Sequence, residues 1–299
     1  MIREQFWRGN AERAFILIDA PYDDFGAAVP MNEAVEQGHR SGVLSAASLM
    51  VGAPAVRDAV ERARRLPSLG VGLHLTLVNG YPVLPPRQIP DLVGPDGRFS
   101  RHVVRFGIAL FFVPKIQRQV EAEIEAQFQR FRLTGLPLDH VNGHQHFHMH
   151  PAVTRAISRI APGFGSPPVR IPLEPFRHSW RAATDRPLQR FVSWLFYAAQ
   201  TRGMRRHLGA AGLPMNDYVF GLYDSGAMVE RRLTQFLAHL PDGVTEFYCH
   251  PATRRWDGPD NLPAHYRPKD ELAALISAEV SAKLEAASVR PVSFRKAFS

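Results

Sequence analysis

The sequence predicts an α/β protein, a (β/α) barrel that is closed or incomplete, in a single domain over residues 1–299. Short apolar runs alternate with helical patterns, the rhythm of βα units around a parallel sheet. The chain has 299 residues, 45% of them apolar, enough for one large core. Its one cysteine, Cys249, allows neither an intrachain disulfide nor a Cys-rich zinc site, which fits a reducing compartment.

The elements follow in order. Ala14 to Asp19 reads as a buried first strand, Met31 to Arg40 as a helix and Val43 to Val51 as a second strand. Ala55 to Leu66 is helical, and Gly70 to Leu77 is a third strand. A proline-rich loop from Tyr81 to Pro95 leads to an amphipathic helix from about Lys115 to Leu133. Next comes a histidine-rich strand: five of the thirteen histidines fall within residues 140–150. His144, His146, His148 and His150 alternate, so an extended chain would point them to one face. Pro151 suits the first turn of the helix that follows. Val169 to Pro172 and Val244 to His250 read as later strands, and Asp270 to Ala287 as a terminal helix. Residues 176–213 break the rhythm and read as a helical insertion, with aromatics between arginines over Leu188 to His207.

Charge is uneven. Lys and Arg number 36 against 28 Asp and Glu, and seven arginines but one acid lie between Phe176 and Gly212. Such a segment suits an anionic membrane surface, nucleic acid or plain solubility. Nothing resembles a nucleic-acid module, so no nucleic-acid partner is expected. The first ten residues lack the apolar stretch of a signal peptide, and the most apolar run, Phe106 to Val113, is too short to span a membrane. A cytoplasmic protein is expected, with self-association into a homo-oligomer left open.

In such barrels chemistry sits where strands end. Four strand ends stand out: Tyr22-Asp23-Asp24-Phe25-Gly26, His74, His144 and His250. One carboxylate with two imidazoles makes a facial triad with open positions for a transition metal. A second carboxylate beside it can take a proton from metal-bound water, so the set points to metal-assisted hydrolysis. Each residue also has a plainer explanation. An Asp pair before glycine is often a turn, and a histidine in an apolar strand is often a hydrogen-bonded core residue. His146 and His148 are expected to support the site or face substrate, since four alternating rings cannot all reach one ion.

Tyr22-Asp-Asp-Phe-Gly26 with Asn32, Gly72-Leu-His-Leu75, Asn142-Gly-His-Gln-His-Phe-His148 and Cys249-His-Pro251 resemble the motifs of the YdjC-like carbohydrate deacetylases, in order, from about residue 14 to 296. The resemblance implies a distorted TIM-like barrel that removes acetyl from an N-acetylated amino sugar. It makes Asp24, His74 and His144 the ligands of one divalent ion, zinc or magnesium, with no organic cofactor. Asp23 would be the general base and His250 the general acid. Arg170 is expected to orient Asp23 or the sugar. Asn142-Gly143, Asn32 to Val35, Ser48 to Val51 and Arg65 to Pro67 look most like the hopanoid-biosynthesis branch, which implies an N-acetylglucosaminyl hopanoid lipid as substrate. A lipid-borne substrate would give the insertion a role at the inner face of the cytoplasmic membrane. Trp194, Phe196, Arg205 and Arg206 are its expected contacts, with Arg190 and Arg202 beside them and Phe106 to Val113 as a second apolar lip. The alternatives are a chitooligosaccharide-type deacetylase, a metal-dependent phosphoesterase, or a lipid-binding barrel without catalysis.

Overall fold

Parallel pairing organises the molecule. The structure is a computed structural model that describes residues 14–257 and 262–299, with side chains described from Phe25 onward. Strand β1 (Ala14–Phe25) leads to α1 (Val29–Ser41), β2 (Ala46–Leu49), α2 (Val56–Arg64) and β3 (Gly70–Leu75). Then come α3 (Val103–Phe112), α4 (Pro114–Arg132), β4 (Leu138–Gly143) and α5 (Pro151–Ile160). The insertion region holds α6 (Phe176–Ala182) and α7 (Pro187–Ala210). The chain continues through β5 (Tyr218–Phe220), α8 (Glu230–Leu237), β6 (Gly243–Tyr248), α9 (Pro268–Leu275), α10 (Ala278–Ala286), β7 (Arg290–Pro291) and α11 (Phe294–Ala297).

The sheet order is β4-β3-β2-β1-β6-β5, with β7 also on β1, and every named pair is parallel. Strands β2 and β3 are buried at every position, as expected where helices cover a parallel sheet. The continuous ladder stops at β4 and β5, so it does not close into the expected TIM-like barrel. Val169 spans that gap with single bridges to Val141 and Met215. The expected strand at Val169–Pro172 is therefore a seam of isolated bridges. Proline explains this: Pro168 and Pro172 flank the segment and cannot donate to a ladder.

Three further expectations change. Strand β1 runs on to Phe25, so the Asp23-Asp24 pair lies within the strand and not in a loop after it. Its register against β2 shifts between Ala20 and Phe25, so the ladder is irregular over this stretch. The terminal helix is two helices, because Ser277 accepts hydrogen bonds from the Glu279 and Val280 amides and starts a new helix there. The histidine run is not a strand. Beyond Gly143 it folds into a 3-10 turn, His144–Met149, with Gln145 and His146 left-handed at φ 51° and 55°. The four rings therefore do not share one strand face.

Candidate active site

All the strands are parallel, so their C-terminal ends lie on one edge, where open α/β sheets carry their ligands. His74 pairs with Asn142 across β3 and β4, and Asp19 of β1 pairs with Tyr248 of β6. The sheet is curved enough for Arg170, at the seam, to reach both β4 and β6. Its Nε lies 3.0 and 2.9 Å from the two Glu246 carboxylate oxygens. The same guanidinium sits over the Tyr248 ring at 5.5 Å.

Neighbouring strands bring two histidines together, His74 on β3 and His144 just past the end of β4. His74 and His144 are buried, with ring centroids 5.9 Å apart at an interplanar angle of 88°. Two metal–nitrogen bonds of about 2.0–2.1 Å, with the ring radii added, can span such a separation. The third expected ligand, Asp24, and the expected base, Asp23, have side chains outside the described residues. Among the described residues no group of three or more His, Cys, Asp or Glu is spaced to hold a metal ion. The donor pair nonetheless suits a divalent ion that takes imidazole ligands.

Asn142 sets the tautomer of His74. With its oxygen toward His74, the amide accepts from Nδ1–H at 2.6 Å and leaves Nε2 to a metal. That orientation turns the amide NH₂ toward Arg170. Turned over, its oxygen accepts from Arg170 Nη1 at 3.2 Å, Nη2 at 2.8 Å and Ser48 Oγ at 2.7 Å, while its nitrogen donates to His74 Nδ1. The second orientation serves every neighbour and is favoured in the protein alone; holding a metal at Nε2 calls for the first. Behind Asn142, the Ser48 hydroxyl bridges to His140 Nε2 at 2.9 Å, and His140 Nδ1 faces Asp139 Oδ2 at 3.0 Å. Asp139 in turn accepts from the Phe294 and Arg295 amides at the start of α11, each at 3.0 Å. Gly72 is required beneath this chain, since a Cβ there would lie 2.4 Å from the His140 ring.

The other histidines take separate tasks. His146 lies between aromatics, 5.3 Å from the Tyr248 ring and 6.2 Å from Tyr197 of α7. His148 Nε2 donates to the Arg170 carbonyl at 3.0 Å and packs on Gly143, where a Cβ would lie 2.9 Å from its own. His150 caps α5 through Nδ1, which accepts from the Ala152 amide at 3.2 Å, and its Nε2 donates to the Gly107 carbonyl of α3 at 3.1 Å.

His250 is buried just past β6, its ring 4.8 Å from both Tyr248 and Tyr266. The Gly226 amide donates to its Nδ1 at 3.3 Å, so the neutral ring carries its proton on Nε2. Glu271 accepts from the His250 amide and lies 3.7 Å from Nδ1. Burial pushes the Glu271 carboxyl up to about 7.

Arg170 is fully buried, so it braces β4 against β6 from inside; any contact with Asp23 falls outside the described side chains. Sequence reasoning missed Glu246, Glu271, Asp139 and His140. A glutamate inside the apolar strand Val244–Tyr248 signalled a buried ion pair. Glu271 carried no signal, because its partner comes from another element.

A model of the YdjC-like protein family matches residues 16–286. The chain belongs to the YdjC-like family. A carbohydrate deacetylase of Brevibacillus brevis is 30% identical over 230 residues, covering 77% of this chain and 79% of that protein. One from Geobacillus stearothermophilus is 28% identical over 277 residues, covering 92% and 95%. The fold is that of an Enterococcus faecalis protein named for cellobiose-phosphate cleavage: TM-score 0.71 at 21% identity, over 96% of this chain and 99% of that one. The YdjC-like match takes in β1, His74, the histidine turn and His250 together.

Proposed function

We propose that this protein is a metal-dependent carbohydrate deacetylase that hydrolyses the N-acetyl group of an amino sugar. The observation that carries the reading is the approach of His74, on β3, and His144, in the turn after β4, at the edge where β1 carries Asp23 and Asp24. The deacetylase relatives support it. The Val169 bridges support reading the sheet as a distorted TIM-like barrel completed irregularly at that seam.

Asp24, His74 and His144 would hold one divalent ion, zinc or magnesium, which supplies Lewis acidity toward the acetamide and its water. Asp23 takes the proton of the attacking water. His250, doubly protonated, gives its Nε2 proton to the departing nitrogen and keeps the proton on Nδ1, which faces Glu271 at 3.7 Å in place of the Gly226 amide contact. Asn142 orients His74 by accepting from Nδ1–H while its NH₂ donates to Ser48, and Arg170 with Glu246 braces the seam beside it. His146, between Tyr197 and Tyr248, lines the approach to the site.

For the substrate, the reading is an N-acetylglucosaminyl hopanoid, supported by the motif resemblance, and the alternative is a chitooligosaccharide; the relatives' names support a carbohydrate and do not choose between them. Mass spectrometry decides between them. Metal-loaded protein incubated with each substrate is expected to remove one acetyl group, and Asp23→Asn to slow this about 10²–10⁴-fold. Acetyl loss from chitooligosaccharides alone would discard the lipid substrate. No loss from either would overturn the deacetylase reading.

A further inference from the structure

Helices α3 and α7 are amphipathic the wrong way round. On α3, Val104, Ile108, Phe111 and Phe112 are 56–77% exposed. On α7, Leu188, Val192, Leu195 and Phe196 are 49–74% exposed. Both sets follow the spacing i, i+4, i+7, i+8, the stripe that a globular helix turns to its core. Each helix already buries another face: Phe106 and Leu110 on α3, Thr201, Met204 and Leu208 on α7. The outward stripes are therefore surplus to the fold. Contiguous apolar surface of this kind marks an interaction site.

Both helices border the histidine turn. His150 holds α3 through the Gly107 carbonyl, and Phe106 stacks on Phe147 at 5.3 Å. Tyr197 of α7 meets His146, and Phe196 packs on Tyr197 at 5.6 Å.

Charge says what the stripes meet. No Asp or Glu occurs from residue 97 to 120, or from 186 to 216. Arg101, Arg105, Arg202 and Arg206 are exposed along these stretches, and among the described residues none of them is in an ion pair. The arginines are not all available. Arg190 is buried, bound to Asp224 at 2.9 Å, and Arg205 donates to the Asp217 carbonyl at 2.7 Å. Trp194 packs within the insertion, 6.0 Å from Phe176. A second copy of the chain would set two cationic faces against each other, which is unfavourable. An anionic headgroup layer over an apolar interior matches both features at once.

We infer that α3 and α7 form a two-helix docking face for an anionic phospholipid bilayer, with the histidine turn beside it. It rests on the deacetylase reading only for the substrate it would deliver, a glycan carried on lipid. Binding is therefore measured without substrate. The full chain is sedimented with phosphatidylglycerol–phosphatidylcholine vesicles and with phosphatidylcholine vesicles. Expected are co-sedimentation with the anionic vesicles, weakening with salt, and little binding to phosphatidylcholine. Arg101→Gln and Arg206→Gln are each expected to weaken partitioning about fivefold. Phe112→Glu and Phe196→Glu, on separate helices and checked for folding by circular dichroism, are expected to abolish it. Wild-type protein that stays in the supernatant with anionic vesicles overturns the inference. So does a dimer that Phe112→Glu dissociates while vesicle binding persists. Deacetylation of a soluble chitooligosaccharide, assayed separately, tests the enzyme reading whatever the vesicles show.

Discussion

Arg170 decides the site's rigidity at the scale of single residues. Its guanidinium and the Glu246 carboxylate are both fully buried, so each charge depends on the other. Glu246→Ala removes a buried carboxylate 2.9 Å from the Arg170 guanidinium, and is expected to cost about 3–5 kcal/mol in urea unfolding. The double variant Arg170→Met, Glu246→Leu removes both charges and is expected to recover most of that stability. If Glu246→Ala unfolds like wild type, the pair is not a brace. Single residues were also where the sequence was most legible. The sequence singled out the Asp pair, His74, His144 and His250 as candidates, and the structure brings His74 and His144 together. Their support could not be read that way. Ser48 reaches His140 across 92 positions of sequence, and spacing says nothing about such a meeting.

At the scale of elements, periodicity located helices and strands but not the places where local chemistry overrides it. The alternating histidines carry a strand signal, yet His148 folds back onto Gly143 and donates to the Arg170 carbonyl, which a straight strand would not allow. The terminal helix shows the same override in a form that one substitution tests. Helical periodicity continues from Asp270 to Ala287, but the Ser277 hydroxyl accepts from the Glu279 amide at 3.1 Å and the Val280 amide at 3.3 Å. The hydroxyl also donates to Glu230, joining α10 to α8. Ser277→Ala is expected to lose about 1 kcal/mol, read as a lower urea midpoint with an unchanged slope. No loss would mean that packing alone, and not the cap, divides α9 from α10.

At the scale of the whole molecule, charge distribution sets the pH at which the fold is most stable. Burial works against ionising Asp139, Asp58 and Glu36, but it is outweighed by His140 at the first, by Arg62 at the second and by Arg40 with Arg62 at the third. All three carboxyls are held below their ordinary values. Their stabilisation is present above the unfolded-state pKa and is lost as pH falls through the folded-state one. Glu174 behaves oppositely. Burial, with Asp224 nearby, pushes its carboxyl from 4.5 to about 7, despite the hydrogen bond from Ser179. Its contribution is full below 4.5 and is lost as pH rises through about 7. Burial shifts Glu271 the same way. The two sets together place maximum stability on the mildly acidic side of neutrality. Glu174→Gln isolates the alkaline limb, because its amide can donate to Ser179 Oγ and its oxygen can accept from the Tyr223 amide as the carboxylate does. Unfolding free energies of both proteins, measured from about pH 4 to about pH 9, are expected to diverge in the variant's favour between 4.5 and about 7 and then to run parallel. The plateau is expected at about 1–3 kcal/mol. A gap independent of pH would show that Glu174 is ionised throughout, with Arg190, 3.6 Å away, sufficient to hold three carboxylates at once: Glu174, Asp185 and Asp224.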